Sequence, residues 1–276
     1  MDRNYFFYLP KVQSEKTKEV IRKIVNQKFP LNIGLFFDKY IAWYREKNKE
    51  KCGIKKQISL LRNDQSLKVP FHLVPLDLYK NYRNRFKFLI HNLEALNYKI
   101  GIQYLKLKWR LAINLGAVSV YETSMLFHRN YGVPIIPGSA VKGVVHHYAE
   151  EYKEIPEAAK IFGSQDKKGE VIFFDALPII DEKEQRDFIV LDVMNIHYGD
   201  YYQKGEIPGD WMNPNPVFFL TVEGVKFIFT IVSKDEKLKE KAIELLKEAV
   251  STMGIGAKTS AGYGYFENLC YNQKRK

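Results

Sequence analysis

The sequence predicts an α+β protein, in which a basic and mostly helical N-terminal region of residues 1–100 packs on an α+β domain of residues 101–276. Two observations support this prediction. Apolar residues recur at helical spacing before residue 100, whereas after it they alternate with polar residues as in a half-buried strand. Charge divides at nearly the same place, because residues 1–110 carry a net charge of +15 and residues 111–276 a net charge of −4.

The N-terminal region is predicted to contain three helices. Ser14 is a suitable N-cap for the first helix, which ends before Pro30. Apolar residues between Ile33 and Tyr44 repeat the helical spacing and predict the second. Residues 45–56 then form a charged connection.

Apolar residues from Phe86 to Leu96 mark the third predicted helix. Arg83, Arg85 and Lys87 crowd its beginning, where the helix dipole disfavours cations. This arrangement fits two interpretations: a solvated face whose charges are screened by water, or a basic rim beside a bound phosphate.

The second region supplies the elements of a sandwich. In order, we predict a half-buried strand at 105–113, a helix from Ser139 or Ala140 to Tyr152, a buried strand at 171–180, strands at 217–222 and 225–232, a helix reaching Met253 and a last strand at 263–269. Glu223 and Gly224 are a two-residue hairpin signal, and Ser233 with Glu236 resembles a capping box. This order fits a ferredoxin-like fold, an antiparallel sheet with two helices on one face.

Composition limits the classes of protein that this chain can be. Its net charge of +11 and pI near 9.3 indicate a polyanionic partner such as nucleic acid or an anionic surface. Hydrophobic residues make up 46% of the chain, too many for a disordered basic tail. No apolar run reaches the roughly 18 residues of a membrane helix, and no signal peptide precedes Pro10. Cys52 and Cys270 lack metal-binding spacing, so we expect a reduced, cytoplasmic protein without cofactor or metal.

The most informative segment is GIGAKTSAGYG, residues 254–264, called here the glycine-rich loop. Its four glycines allow a backbone to approach a ligand closely. The segment is not a nucleotide-binding P-loop, because Thr252 and Ala257 stand where that motif needs glycine and because a helix precedes it. A tight turn would explain one or two of the glycines but not four. We expect the loop to cradle successive nucleic-acid phosphates through Gly254, Gly256, Lys258, Thr259, Ser260, Gly262 and Gly264.

A second segment, residues 134–143, leads into the first helix of the α+β domain. Ser139 is predicted to be its N-cap. Lys142 lies in the first turn against the helix dipole, which favours a bound anion there. Gly143 lowers helix propensity and is expected to permit close packing or approach. We expect Ser139 and Lys142 to contact the phosphates of the same nucleic acid, with Arg129 and His128 near the same face.

Ordered motifs carry a family resemblance. The runs PGSAVKGVV, IFGS, G-x-VIFFDA-x-P and GIGAKTSAGYG resemble the RAMP superfamily of CRISPR proteins. Within that superfamily, three further segments resemble the family of the sixth subunit of the type III-B Cmr effector complex. They are residues 119–124 (SVYETS), 192–198 (DVMNIHY) and 211–216 (WMNPNP). The resemblance covers about residues 115–266, and the basic N-terminal region carries no matching motif.

The resemblance implies an RRM-like domain that binds guide RNA and, through it, target RNA in an antiviral complex. It also implies a non-catalytic scaffold at the end of the complex's helical backbone, near the guide's 3′ end, because in this family a neighbouring subunit cuts target RNA. The implied protein partners are neighbouring RAMP backbone subunits and a small helical subunit.

Two alternative functions stay open. Some RAMP relatives are metal-independent endoribonucleases that process guide RNA, so His128, His146 or His147 could act as a general base while Lys142 or Lys258 stabilises the phosphorane. The other alternative is a protein–protein adaptor whose charge serves solubility.

Acidic residues offer two further candidates. Asp192, His197 and Asp200 look superficially like metal ligands, but their loop-like surroundings favour a structural loop or a subunit contact. Asp175 lies at the end of a hydrophobic strand and could be an active-site acid, but the resemblance places it in the strand motif of the RAMP fold, and we interpret it as structural.

Overall fold

A computed structural model describes residues 5–8, 32–38, 41–46, 49–52, 69, 74, 76–119, 121, 123–153, 155–180, 187–196, 199–209, 211 and 214–268. Within these ranges, no helix has both the length and the apolar character needed to cross a membrane. The first predicted helix, with Ser14 as its N-cap, lies outside the described residues. Cys270 lies outside them as well.

The N-terminal region contains strands as well as helices. Its first elements are β1 (Tyr5–Tyr8), α1 (Ile33–Asp38), β2 (Ile41–Glu46) and β3 (Lys49–Cys52). β2 pairs antiparallel with both β1 and β3, so the predicted helix over residues 33–44 is wrong in its second half, and the predicted connection after it contains a strand. The sequence of β2, IAWYRE, is rich in residues that favour strands, and pairing with two neighbours overrides the helical spacing.

The third predicted helix is confirmed as α2, which spans Leu76–Ala95. It begins well before Phe86, so Arg83, Arg85 and Lys87 lie in its interior. The argument from the helix dipole therefore fails for these cations, because the dipole acts mainly on the first and last turns. Arg83 and Lys87 are four residues apart and share one face of the helix, whereas Arg85 points to another side.

A ferredoxin-like sheet forms the centre of the molecule. The remaining elements are β4 (Lys99–Leu107), β5 (Arg110–Leu111), α3 (Gly138–Tyr152), α4 (Ala158–Phe162), β6 (Val171–Phe173), β7 (Leu177–Ile179), β8 (Ile189–Ile196), α5 (Gly199–Lys204), β9 (Asn215–Glu223), β10 (Lys226–Ser233), α6 (Glu236–Thr252) and β11 (Phe266–Asn268). The central sheet has the order β11-β4-β10-β6, with β7 also pairing β10, and every pair is antiparallel. This is the strand order of the predicted fold, and the α+β prediction is confirmed.

A second sheet, ordered β5-β9-β8, stands beside the first. The hairpin predicted at Glu223 and Gly224 is wrong, because β9 pairs with β5 and β8 while β10 pairs with strands of the central sheet. Gly224, with φ of +69°, joins the two sheets instead. The strand predicted over residues 105–113 divides in the same way, since β4 ends at Leu107 and β5 belongs to the second sheet.

One face of the central sheet packs against α3 and α6. A Cβ added at Gly101 would lie 2.2 Å from Cδ1 of Ile243, which shows how closely α6 approaches β4. α6 is capped by Asp235, whose carboxylate accepts hydrogen bonds from the backbone N–H groups of Lys237 and Leu238. The capping box predicted from Ser233 is therefore wrong, because Ser233 lies in β10 and donates to the carbonyl of Glu170.

The opposite face of the central sheet lies under α2. Ile102 and Tyr104 on β4 point away from α6, because they alternate with Gly101, and they line a small cavity of about 230 Å³ beneath α2. The Tyr79 hydroxyl on α2 donates a hydrogen bond to the carbonyl of Pro178, and burial raises the pKa of Tyr79. α2 thus packs on the central sheet, while the division into a helical N-terminal region of residues 1–100 and a domain of residues 101–276 stays a prediction.

Candidate RNA-binding surface

The glycine-rich loop connects α6 to β11 and is fastened to β5 by backbone hydrogen bonds. Gly264 N–H donates to the carbonyl of Arg110 at 2.7 Å, and Ala257 N–H donates to the carbonyl of Ala112 at 2.8 Å. Within the loop, Ile255 N–H donates to the carbonyl of Gly264 at 2.9 Å. These bonds close the loop on itself and hold it against the junction between the two sheets.

All four glycines of the loop have a conformational reason to be glycine. Gly254, Gly256, Gly262 and Gly264 have φ values of +74°, +101°, +91° and +77°. A Cβ at position 264 would lie 1.9 Å from a backbone oxygen, and one at position 256 would lie 2.4 Å from another. The expectation that a tight turn explains only one or two of the glycines is wrong, since the backbone itself requires all four.

The tip of the loop presents three polar side chains. Lys258 has a left-handed backbone, with φ of +60°, and leads into a single 3₁₀ turn, Thr259–Ala261. Ser260 is exposed, and Lys258 and Thr259 are half-buried. The loop can therefore offer an ammonium group and two hydroxyls to a ligand, on a backbone held by its own hydrogen bonds.

A charged network locks the loop to the second sheet. Arg110 pairs with Asp192 (Nη1 to Oδ2, 2.6 Å) and with Glu223 (Nε to Oε2, 2.8 Å). The Tyr263 hydroxyl donates to the same Asp192 oxygen at 2.8 Å. Burial alone would raise the pKa of Asp192, but hydrogen bonds from Arg110, Tyr263 and the Val193 N–H outweigh it and lower that pKa. Burial and the bond to Asp192 raise the pKa of Tyr263 to about 12.

Of the three residues that resemble metal ligands, the structure describes the side chain of Asp192 alone. Asp192 is engaged by Arg110 and Tyr263, while His197 and the side chain of Asp200 lie outside the described residues. Within the part of the chain that the structure describes, no three His, Cys, Asp or Glu side chains are grouped so that they could hold a metal ion.

The start of α3 is capped by a carboxylate that lies far along the sequence. The helix begins at Gly138, whose N–H donates to Asp175 Oδ1 at 2.7 Å. Ser139 is therefore not the N-cap, because it already lies inside the helix and its side chain makes no capping bond. This bond gives Asp175 the structural role that the sequence predicted. Lys142 is half-buried one turn further on, and a Cβ at Gly143 would meet no atom within 4 Å.

A tight turn carries the other predicted contacts. His128 N–H donates to the carbonyl of Val133 at 2.7 Å, and the His128 ring packs 4.5 Å from that of Tyr131. Asn130 N–H donates to His128 Nδ1 at 3.3 Å, so this nitrogen is an acceptor. Burial lowers the pKa of His128, although the nearby Asp175 carboxylate opposes that shift. Arg129 is exposed.

His146 and His147 lie on the body of α3. His146 Nε2 is 3.3 Å from a carboxylate oxygen of Glu150, and His147 Nε2 is 3.2 Å from one of Glu151. His146 also packs 4.6 Å from the ring of Phe162. These two candidate general bases are thus each engaged with a carboxylate one helical turn away.

An aromatic cleft of about 760 Å³ separates α2 from the turn and from the end of β6. Its walls carry aromatic rings from three distant parts of the chain: Tyr82, Phe86, Phe88, His128, Tyr131, Phe173 and Phe174. Arg85, Asn130 and Asp175 add polar groups to the lining. Through Asp175, which also caps α3, the structure brings His128 and the start of α3 to one place, whereas the glycine-rich loop contacts β5.

Comparison with known proteins establishes the family. The RAMP superfamily matches residues 104–267. The sequence is 33% identical to the CRISPR system Cmr subunit Cmr6 of Pyrococcus furiosus, over 90% of this chain and 98% of that protein. The chain belongs to the Cmr6 family of the RAMP superfamily.

Two further similarities agree with the Cmr6 family. Cmr6 of Saccharolobus solfataricus is 32% identical over 54% of this chain and 49% of its own length. A chain in the cryo-EM structure of the type III-B Cmr-beta bound to cognate target RNA is 27% identical, with a TM-score of 0.63. That similarity covers 78% of this chain and 71% of the other.

Sequence reasoning missed the aromatic site residues that precede the RAMP match in this Cmr6-family chain. α2 lies before residue 104 and contributes Tyr82, Phe86 and Phe88 to the aromatic cleft. A signal was present, because Tyr82 and Phe86 are four residues apart and so share one helix face beside Arg85. The opposing wall, at residues 128–131 and 172–175, could be found only from the fold.

Proposed function

We propose that this chain is a non-catalytic subunit of a type III-B Cmr effector complex, which binds guide RNA and helps to assemble the complex. The observation that carries the proposal is the similarity to Cmr6 of Pyrococcus furiosus over nearly the whole of both chains. The similar chain in the Cmr-beta structure, which is bound to cognate target RNA, supports RNA as a partner.

The proposed place of the subunit is the end of the complex's backbone, near the guide's 3′ end. Its neighbours there would be RAMP backbone subunits and a small helical subunit, and target RNA would be reached through the guide. Guide–target pairing would supply the sequence specificity, while this chain holds the guide's backbone.

The proposed phosphate contacts form two groups. The tip of the glycine-rich loop offers Lys258, Thr259 and Ser260 on a backbone fixed by hydrogen bonds to β5. The second group is Ser139 and Lys142 at the start of α3, with Arg129 and His128 on the adjoining turn. Ammonium, guanidinium and hydroxyl groups of this kind bind phosphate without reading the bases.

The proposed absence of catalysis rests on how the candidate histidines are used. His146 and His147 are paired with Glu150 and Glu151, and the described contacts of His128 are with aromatic rings and the backbone of its own turn. We expect the purified chain to leave repeat RNA intact during incubation in EDTA. Specific cutting that a His128→Ala change abolishes would establish the endoribonuclease instead.

Replacement of Lys258 tests the phosphate contacts. Lys258→Ala should weaken guide-RNA binding roughly equally for all sequences and lower the slope of log K against log salt by about one unit. Lys237→Ala is the matched control, because this exposed lysine lies at the opposite end of α6 and should change neither quantity. Filter-binding titrations between low and physiological salt measure both, and an unchanged slope would remove Lys258 from the phosphate site.

Co-purification tests the function as a whole. When the tagged chain is isolated from cells that express the other Cmr subunits and a CRISPR array, we expect those subunits together with a discrete small RNA. A complex that survives ribonuclease and protects no RNA fragment would support the protein–protein adaptor.

A further inference from the structure

We propose that the aromatic cleft between α2 and the turn at residues 128–131 binds a single unpaired nucleobase of an RNA strand. The inference rests on the proposed RNA-binding function and adds a base-binding site to its phosphate contacts. One wall of this site comes from α2, which lies outside the matched RAMP region.

The size and walls of the cleft suit a flat aromatic ligand. Its volume of about 760 Å³ falls within the roughly 300–1,000 Å³ typical of pockets that enclose small molecules. Phe86 packs edge-on against Phe174 at 5.7 Å, and the rings of Tyr82 and Phe86 lie 6.3 Å apart. The Tyr82 ring also lies 4.6 Å from that of Tyr131, so contacts between rings hold the walls of the cleft in place.

Phe88 is the least protected ring in the lining. Its side chain is 68% exposed on α2, so most of an apolar ring faces water in the free protein. A base stacked on this ring would remove one face of the base and one face of the ring from water. Such stacking tolerates any of the four bases. The remaining rings of the cleft lie deeper and already pack on one another.

The polar lining favours a nucleotide over an apolar protein segment. Arg85, Asn130 and Asp175 provide donors and acceptors that match the edge of a base, and Arg85 uses one of its five N–H groups on the Tyr131 hydroxyl at 3.3 Å. An apolar segment seated here would bury these groups without new partners, which costs free energy. Arg129 is exposed beside the cleft and can contact the phosphate of the bound nucleotide.

The cleft also adjoins the proposed phosphate contacts on α3. Asp175 lines the cleft and at the same time accepts the hydrogen bond from Gly138 at the first turn of that helix. An RNA strand whose base enters the cleft would therefore pass Ser139 and Lys142 with its backbone.

Crosslinking locates the base directly. The complex is reconstituted from purified subunits and guide RNAs that each carry one 4-thiouridine, irradiated at long wavelength, and digested for mass spectrometry. We expect one guide position to crosslink to peptides that contain Tyr82, Phe86 or Phe88, since a stacked thiobase reacts with the ring that it touches.

Variants at Phe88 separate stacking from other roles. Phe88→Ala should abolish that crosslink and weaken guide-RNA binding by the chain about tenfold without changing the salt slope, because stacking releases no counterions. Phe88→Tyr should restore both, and Phe88→Leu, which is apolar but not aromatic, should not. Leu96→Ala is the matched control, because this residue is 63% exposed just after α2 and is outside the lining.

The outcomes distinguish the two levels of the proposal. Crosslinks at the glycine-rich loop without any at the cleft would overturn the nucleobase site and leave the RNA-binding function standing. No crosslink to any part of this chain would overturn both. Unchanged crosslinking in Phe88→Ala together with loss of a neighbouring subunit would make the cleft a protein-binding surface and overturn the inference.

Discussion

The glycine-rich loop and the aromatic cleft are built by opposite means. The loop is eleven consecutive residues whose shape is set by its own backbone: positive φ at each glycine, and hydrogen bonds to β5. The cleft is assembled from side chains on α2, on the turn at residues 128–131 and at the end of β6. A backbone site of the first kind tolerates almost no added atoms, whereas a side-chain site of the second kind can lose one ring and keep its fold.

The sharpest test of this difference is a methyl group added inside the loop. Gly264→Ala would place Cβ 1.9 Å from the Ile255 carbonyl oxygen on a backbone with φ of +77°, so we expect a loss of more than about 3 kcal/mol in the free energy of unfolding. Gly262→Ala is the control, because its Cβ would come only within 4.0 Å of Trp109 and should cost about 1 kcal/mol, the left-handed backbone alone. Urea unfolding followed by circular dichroism compares them, and equal losses would contradict the close approach.

A second test breaks the network that fastens the loop to the second sheet. Arg110→Met leaves Asp192 and Glu223 without their cation, and Asp192 is only 15% exposed, so we expect a loss of about 2 kcal/mol. Because the folded-state pKa of Asp192 is lowered, its stabilisation is complete above its unfolded pKa of about 3.9 and is lost as pH falls through the folded value.

Thermal unfolding between pH 7 and pH 2 checks both parts of that prediction. The variant should be less stable than the parent protein at neutral pH and should lose less stability on acidification. Parallel stability curves for the two proteins would show that Asp192 is not held by Arg110.

The smallest expected effect is in the cleft. The folded-state pKa of His128 is lowered, so the unfolded chain binds the proton more readily and stability falls as pH drops below about 6.5 toward the folded value. Since this side chain is partly exposed, we expect a change below about 1 kcal/mol. His128→Gln should remove this pH dependence between pH 7 and pH 5 in chemical unfolding experiments, and a variant that keeps it would assign the titration to another group.

The same contrast explains what could be predicted from the sequence. The order of helices and strands along the α+β domain and the place of the glycine-rich loop follow from local patterns, periodicity for the helices and strands and closely spaced small residues for the loop. The cap of α3 does not, because its acceptor, Asp175, lies 37 residues beyond Gly138. The hairpin prediction at Gly224 was wrong for a related reason. A turn signal shows that the chain reverses direction, but it does not show which strands will pair.

The position of α2 has a consequence for how any nucleic acid can meet the central sheet. RRM domains stack bases on the open face of a four-stranded sheet. Here Ile102 and Tyr104 occupy that face beneath α2, and the Tyr79–Pro178 hydrogen bond ties the helix down. α2 therefore covers only part of the usual stacking platform, because Ile102 and Tyr104 keep exposed fractions of 38% and 43%, and a strand that followed the RRM path would meet a twenty-residue helix. Under the proposed function, an RNA strand that runs along the rim of the sheet, by the loop at one end and the cleft along one side, would not have to displace this helix.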